Sequence, residues 1–145
     1  MSRQRGGGMR VFINGFGRIG RSVLRAYMGA PGRWPGIEVA GINDIAAAEM
    51  CAHLFEYDSV FGPWRGTVAL EAGALVVDGR AIPLHRAADL AALDLGGVDV
   101  VMECTGRARG AERGLAAGAA RVLVSGPSAE AEVTLVLGAN EGRLG

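Results

Sequence analysis

Residues 11–20, V-F-I-N-G-F-G-R-I-G, constrain this chain more than any other stretch: a short apolar run breaks into three glycines spaced G-x-G-x-x-G. Directly after it, residues 21–27 carry apolar side chains at helical spacing, so the pattern predicts a strand that turns sharply into a helix. Each glycine has a separate task there. Gly15 lets the chain leave the strand through a turn that side chains would block. Gly17 has no Cβ and leaves the backbone open to a diphosphate, and Gly20 lets the helix lie close on the strand. The first N–H groups of that helix, near Arg18 and Ile19, then face an anion along the positive end of the helix dipole.

In a chain with 24 glycines such a spacing carries little weight by itself. Its surroundings strengthen it. A second apolar run, residues 38–43, ends at Asp44, which lies 24 positions past Gly20. That is close to the roughly 20-residue spacing at which an acidic side chain reaches ribose hydroxyls. Strand, glycine turn, helix, strand and acid follow in order, and together they predict a dinucleotide site.

The 145 residues suffice for one domain with a sizeable core, and half of them are apolar. Fifteen basic residues balance fifteen acidic ones, which argues against a broad nucleic-acid or anionic-membrane surface. All the basic residues are arginines, which excludes Schiff-base chemistry and a Walker phosphate loop, since both need lysine. Cys51 and Cys104 have neither metal nor redox spacing, so no metal site and no oxidising compartment is expected. Residues 1–8 lack an apolar core and read as a flexible leader. No apolar run approaches the ~18 residues that span a bilayer, so the reading is a cytoplasmic protein without membrane or nucleic-acid partners.

Further along, residues 45–57 have helical composition, with Met50, Leu54 and Tyr57 expected on the packed face and Cys51 expected as plain packing. His53, in that helix, and His85 read as ordinary histidines. Residues 58–64 read as a loop in which Asp58-Ser59 forms an Asx turn. Three short runs, residues 67–70, 75–77 and 81–84, are separated by Glu71-Ala72-Gly73 and by Asp78-Gly79, a strong hairpin signal. They predict an antiparallel meander. Residues 87–95 are expected as a short helix, and residues 98–102 as a buried parallel strand ending at Glu103-Cys104-Thr105-Gly106. A helix over 110–120, a strand over 121–124 and a last strand over 133–137 complete the pattern. Alternating strands and helices imply an α/β fold: a doubly wound, mostly parallel sheet carrying the inserted meander, with ligands beyond the carboxyl ends of the strands.

Five segments in order carry a resemblance: I-N-G-F-G-R-I-G-R at 13–21, I-N-D at 42–44, Y-D-S-V-x-G at 57–62, E-x-T-G at 103–106 and S-G-P-S at 125–128. They resemble the NAD-binding half of phosphorylating glyceraldehyde-3-phosphate dehydrogenases, whose cofactor domain has a Rossmann-type fold. The resemblance covers residues 9–145 and implies NAD as cofactor. It implies that Asn14, Gly15, Gly17 and the backbone amides of Arg18 and Ile19 surround the pyrophosphate. Asp44 would hold the adenosine ribose, and Thr105, Gly106 and Ser125 would line the nicotinamide-ribose side. Family members carry an arginine near the adenine; here Arg86 takes that position if the alignment is gapped, and Ala88 if it is not. Phe61 stands where the family usually has histidine.

The family's catalytic domain, with its cysteine nucleophile and histidine base, is expected to be absent from this chain, and neither Cys51 nor Cys104 stands in for it. The resemblance therefore implies the cofactor half of an enzyme that oxidises and phosphorylates a triose phosphate aldehyde in glycolysis. Triose phosphate would be a partner only with that domain, and intact relatives form homotetramers. The cofactor half of an erythrose-4-phosphate dehydrogenase and a stand-alone NAD-binding module are the alternatives.

Overall fold

The computed structural model describes residues 8–106 and 110–125. The expected strand over 133–137, the turn residues 126–128 and most of the leader lie outside them. Strand β1 (Met9–Asn14) has its last four residues buried, because it sits inside the sheet with parallel neighbours on both sides. On one side it pairs with β2 (Ile37–Asn43) and on the other with β8 (Val100–Glu103), which in turn pairs in parallel with β9 (Arg121–Val124).

The meander forms as β5 (Val68–Glu71), β6 (Ala74–Val77) and β7 (Arg80–His85). Both of its turns have two consecutive residues at positive φ, Ala72-Gly73 and Asp78-Gly79, the geometry that matches the twist of a tight hairpin. Strand β7 also pairs in parallel with β2 through Ile42↔Leu84 and Asn43↔His85. The meander therefore extends the main sheet, giving the seven-stranded order β5-β6-β7-β2-β1-β8-β9. Two further short strands, β3 (Tyr57–Asp58) and β4 (Gly62–Pro63), form a separate hairpin. It closes over Asp58, whose carboxylate accepts the N–H groups of Val60 and Phe61 as expected of an Asx turn.

Helices cover both faces. Helix α1 (Arg18–Gly29) buries Gly20, Leu24, Tyr27 and Met28, and α2 (Ala48–Glu56) buries Cys51 and Phe55. Both pack with Ile13, Ile42, Leu75 and Ile82 on one side of the sheet. The other side gathers Phe12, Leu90, Leu95, Val98 and Val101 with Ala117 and Ala119, which follow helix α3 (Gly110–Ala116). The side chains of Phe12 and Ile13 go to opposite clusters, as alternation along a strand demands. Among the described residues, no helix is long and apolar enough to cross a membrane.

Four expectations are corrected. The second helix begins at Ala48 instead of residue 45, because Asp44 Oδ1 accepts the Ala46 N–H and holds the chain in a turn. Its packed face is Cys51 and Phe55, while Met50, Leu54 and Tyr57 are exposed. Arg25 settles the orientation: its guanidinium lies over the Phe55 ring and donates to the carbonyls of Phe55 and Glu56. The helix expected over 87–95 is only a single 3-10 turn, Leu90–Ala92. Asp89 caps that turn through the Ala91 N–H, and Asp94 accepts the Gly96 N–H, so the chain reverses before an α-helix can propagate. Helix α3 likewise stops at Ala116, ahead of Gly118 at φ +111°.

Candidate functional site

The chain runs from β1 to β2 on one side and later returns to β8 on the other, so the sheet order reverses at β1. Connections diverge there, and a crevice opens at the carboxyl ends of the strands. A cleft of about 730 Å³ occupies that position. Its floor is Asn14, Gly15 and Gly17, its flanks are Asn43, Asp44 and Ile45 on one side and Glu103, Cys104 and Thr105 on the other. Residues 87–90 together with Glu112 and Arg113 close the remaining wall.

The three glycines differ in what they allow. Gly15 has φ +97°, and a Cβ there would stand 2.8 Å from the Cys104 carbonyl carbon and the Thr105 nitrogen. A Cβ on Gly20 would stand 2.2 Å from the Gly15 carbonyl oxygen, so the first turn of α1 touches the end of β1 through backbone alone. At Gly17 a Cβ would meet no protein atom within 4 Å. Gly17 is the N-cap of α1, and no side chain caps that end. The first N–H groups of α1 therefore retain their donors next to the cleft floor.

Asp44 is held on both oxygens: Oδ2 accepts the Phe16 N–H at 2.7 Å and Oδ1 the Ala46 N–H at 2.8 Å. This ties the acidic residue at the end of β2 to the glycine turn at the end of β1. Asn14 is buried, and its side chain is engaged within the protein, donating to Glu103 Oε1 at 2.7 Å and accepting from Asn43 Nδ2 at 2.9 Å. Thr105 lines the cleft and donates both its N–H and its hydroxyl to Glu103 Oε2.

Other expected site residues lie further out. Arg18 borders a second, smaller cleft of about 270 Å³ with Arg21, Ser22, Leu54 and Tyr57, and does not line the main one. Ile19 is half-exposed and borders neither cleft. Arg86 is exposed and donates to the Ile45 carbonyl, whereas Ala88 lines the main cleft. Gly106, at φ +78°, and Ser125 do not line it; the Ser125 N–H continues the ladder by donating to the Glu103 carbonyl.

Cys104 does line the cleft, but burial, reinforced by the Glu103 carboxyl, pushes its thiol up to about 11. Burial likewise raises the thiol of Cys51, which packs in the core. His53 is exposed against the Tyr57 ring, and the His85 ring lies tilted beside Phe12. Sequence reasoning quoted Asn43 and Glu103 within the resembling segments but gave neither side chain a role. One signal was available: each of the three parallel strands β1, β2 and β8 ends an apolar run with a single polar side chain.

Comparison with known proteins agrees with this fold. The family model for the NAD binding domain of glyceraldehyde 3-phosphate dehydrogenase matches residues 9–111. The chain is 42% identical over 138 residues to glyceraldehyde-3-phosphate dehydrogenase 1 of Bacillus subtilis, covering 92% of this chain and 40% of that protein. It is 44% identical over 138 residues to the Pseudomonas aeruginosa glyceraldehyde-3-phosphate dehydrogenase, covering 91% of this chain and 41% of the relative. For the Xanthobacter flavus protein of the same name, identity is 45% over 143 residues, covering 94% and 42%. The chain thus spans about two fifths of the length of the curated relatives it matches.

Proposed function

Because the chain belongs to the family of glyceraldehyde 3-phosphate dehydrogenase NAD binding domains, we propose that it binds NAD across the cleft at the ends of β1, β2 and β8. The single observation that carries this reading is the pairing of an open Gly17, at the uncapped start of α1, with the Asp44 carboxylate tied to the same turn. A diphosphate fits the first and a ribose diol the second. When bound, NAD supplies a nicotinamide ring that accepts hydride.

The residues divide the dinucleotide among themselves. Gly15, Gly17 and the amides of Arg18 and Ile19 face the pyrophosphate. Asp44 takes the adenosine ribose, with Ala88 on the adenine side in place of Arg86. Thr105, and beyond it Gly106 and Ser125, belong to the nicotinamide-ribose side. The domain is proposed to comprise residues 9–145 after an eight-residue leader.

Oxidation and phosphorylation of an aldehyde is proposed for this chain working with the catalytic part of the relatives that it does not match. A triose phosphate as substrate, a homotetramer and a cytoplasmic, glycolytic setting belong to the same proposal. Calorimetric titration with NAD, together with amide chemical-shift mapping, tests the site. Binding with shifts at residues 15–20 and 44 is expected. Absence of binding at millimolar NAD, or shifts confined to another surface, overturns the proposal.

A further inference from the structure

The cleft is floored by a hydrogen-bond chain, buried at its centre, in which the cofactor reading gives Glu103 and Asn43 no part. Its first link is set by register. Across β1–β2, Val11 pairs with Val39 but Phe12 pairs with Gly41, so β2 carries one extra residue at a bulge. Without that residue Asn14 would oppose Ile42; with it, Asn14 opposes Asn43. A one-residue slip turns a side chain to the other face, so the bulge places the two asparagines together. Gly41 permits the bulge, since a Cβ there would stand 2.8 Å from the Phe12 ring. On its other side Asn14 opposes Glu103 of β8. Three polar side chains thus stand abreast at the carboxyl ends of three parallel strands.

Their bonds converge on Glu103. The Ala87 N–H donates to Asn43 Oδ1 at 2.8 Å, and Asn43 Nδ2 donates to the Ala87 carbonyl at 3.0 Å and to Asn14 Oδ1 at 2.9 Å. Asn14 Nδ2 donates to Glu103 Oε1 at 2.7 Å, and Glu103 Oε2 accepts the N–H and the hydroxyl of Thr105. Glu103 is 1% exposed. A side chain so deeply buried has no water to fall back on, so its partners fix its place.

Resting on the NAD-binding reading, we propose that Glu103 is a positioning residue for the cofactor. Through Asn14 and Asn43 it locks the Thr105 loop, on the nicotinamide side, to the glycine turn and the residue-87 loop on the adenosine side. The spacing between the two halves of the site is then set before ligand arrives, and only a ligand that reaches both halves senses it.

Direction makes the proposal testable by reversal. In Glu103→Gln, the new amide must present N–H₂ either to Asn14 Nδ2 or to the Thr105 N–H, and the hydrogen bond at that donor is lost. In the double variant Asn14→Asp with Glu103→Gln, the Gln amide donates to the Asp carboxylate. The other Asp oxygen still accepts from Asn43, and the Gln carbonyl accepts from Thr105, so every link is restored with the carboxylate moved one strand over. Calorimetry on the 145-residue chain would measure NAD and AMP, with thermal unfolding by circular dichroism in parallel.

For Glu103→Gln the expected NAD affinity falls about tenfold (~1.4 kcal/mol) while AMP affinity stays within about twofold. For the double variant NAD affinity returns to within about threefold of the parent. Equal losses for NAD and AMP would make Glu103 merely structural and overturn the proposal, as would unchanged NAD binding in the single variant. If the single variant does not fold, the double variant still decides: folded but about tenfold weaker for NAD, it refutes the chain's role. A parent that binds neither ligand overturns the NAD-binding reading itself, and this inference with it.

Discussion

Replacing Gly20 with alanine adds one methyl group where the protein has no room for it. The new Cβ would lie 2.2 Å from the Gly15 carbonyl oxygen and 3.2 Å from both the Gly15 carbonyl carbon and Ile13 Cγ2. The first of these neighbours is backbone and cannot rotate away. Gly15 is moreover pinned by its N–H to the Asn43 carbonyl at 2.7 Å and by its φ of +97°. Helix α1 must therefore move off the strand by more than an ångström at its first turn. Overpacking of this kind costs about 1–3 kcal/mol, and the rigid neighbours place this case near ~3. Alanine returns ~1 kcal/mol through helix propensity, leaving a net loss of about 2 kcal/mol. For a domain near this size that lowers Tm by about 4–8 °C in a thermal scan. Because the displaced turn carries the amides proposed to face the pyrophosphate, NAD affinity should fall by about tenfold or more. Gly17→Ala is the internal control. Its methyl meets no protein atom within 4 Å, so Tm should be unchanged, yet the methyl enters the cleft and NAD affinity should fall as steeply. A Gly20→Ala variant with unaltered Tm, or a Gly17→Ala variant that binds NAD like the parent, would falsify the assignment of the two glycines.

NAD should bind at least about tenfold tighter than NADP by calorimetry, because a 2′-phosphate near Asp44 would meet repulsion of ~4 kcal/mol per charge pair at ~4 Å and an effective dielectric of ~20; equal affinities would refute this. Cys104, with its thiol pushed up to about 11 from 9.0, should react with iodoacetamide at pH 8 about two orders of magnitude more slowly than an ordinary cysteine. Its folded-state shift is upward, so the stability it contributes is fully present below pH 9 and is lost as pH rises from there toward 11, which denaturant titrations at several pH values would show. The 145-residue chain tested by itself should bind NAD yet produce no NADH burst with aldehyde and phosphate, since Cys51 packs in the core and Cys104 resists ionisation; a measured burst would contradict this.

What could be read locally was read well. A residue that must adopt positive φ, such as Gly15 or Gly79, announces its turn in the sequence, because the steric limit acts within a residue or two. Local signals of this kind made the glycine turn into α1, the Asp78-Gly79 hairpin and the Asx turn at Asp58 legible without coordinates. Helical periodicity, by contrast, says that a stripe exists but not which stripe meets the sheet. Around α2 two stripes competed, and Arg25, reaching across from α1, belongs to the one that is buried. Arg86 is drawn to the Ile45 carbonyl, a contact no local pattern announces, and the helix expected over 87–95 was forestalled by side-chain caps. The floor of the cleft depended on tertiary structure most of all. Asn14 and Glu103 are separated by 89 positions and meet only because two strands pair in one register, while a bulge at Gly41 brings Asn43 alongside. Conformational limits of single residues are written in the chain; contacts between distant residues exist only once packing has selected a register and a face.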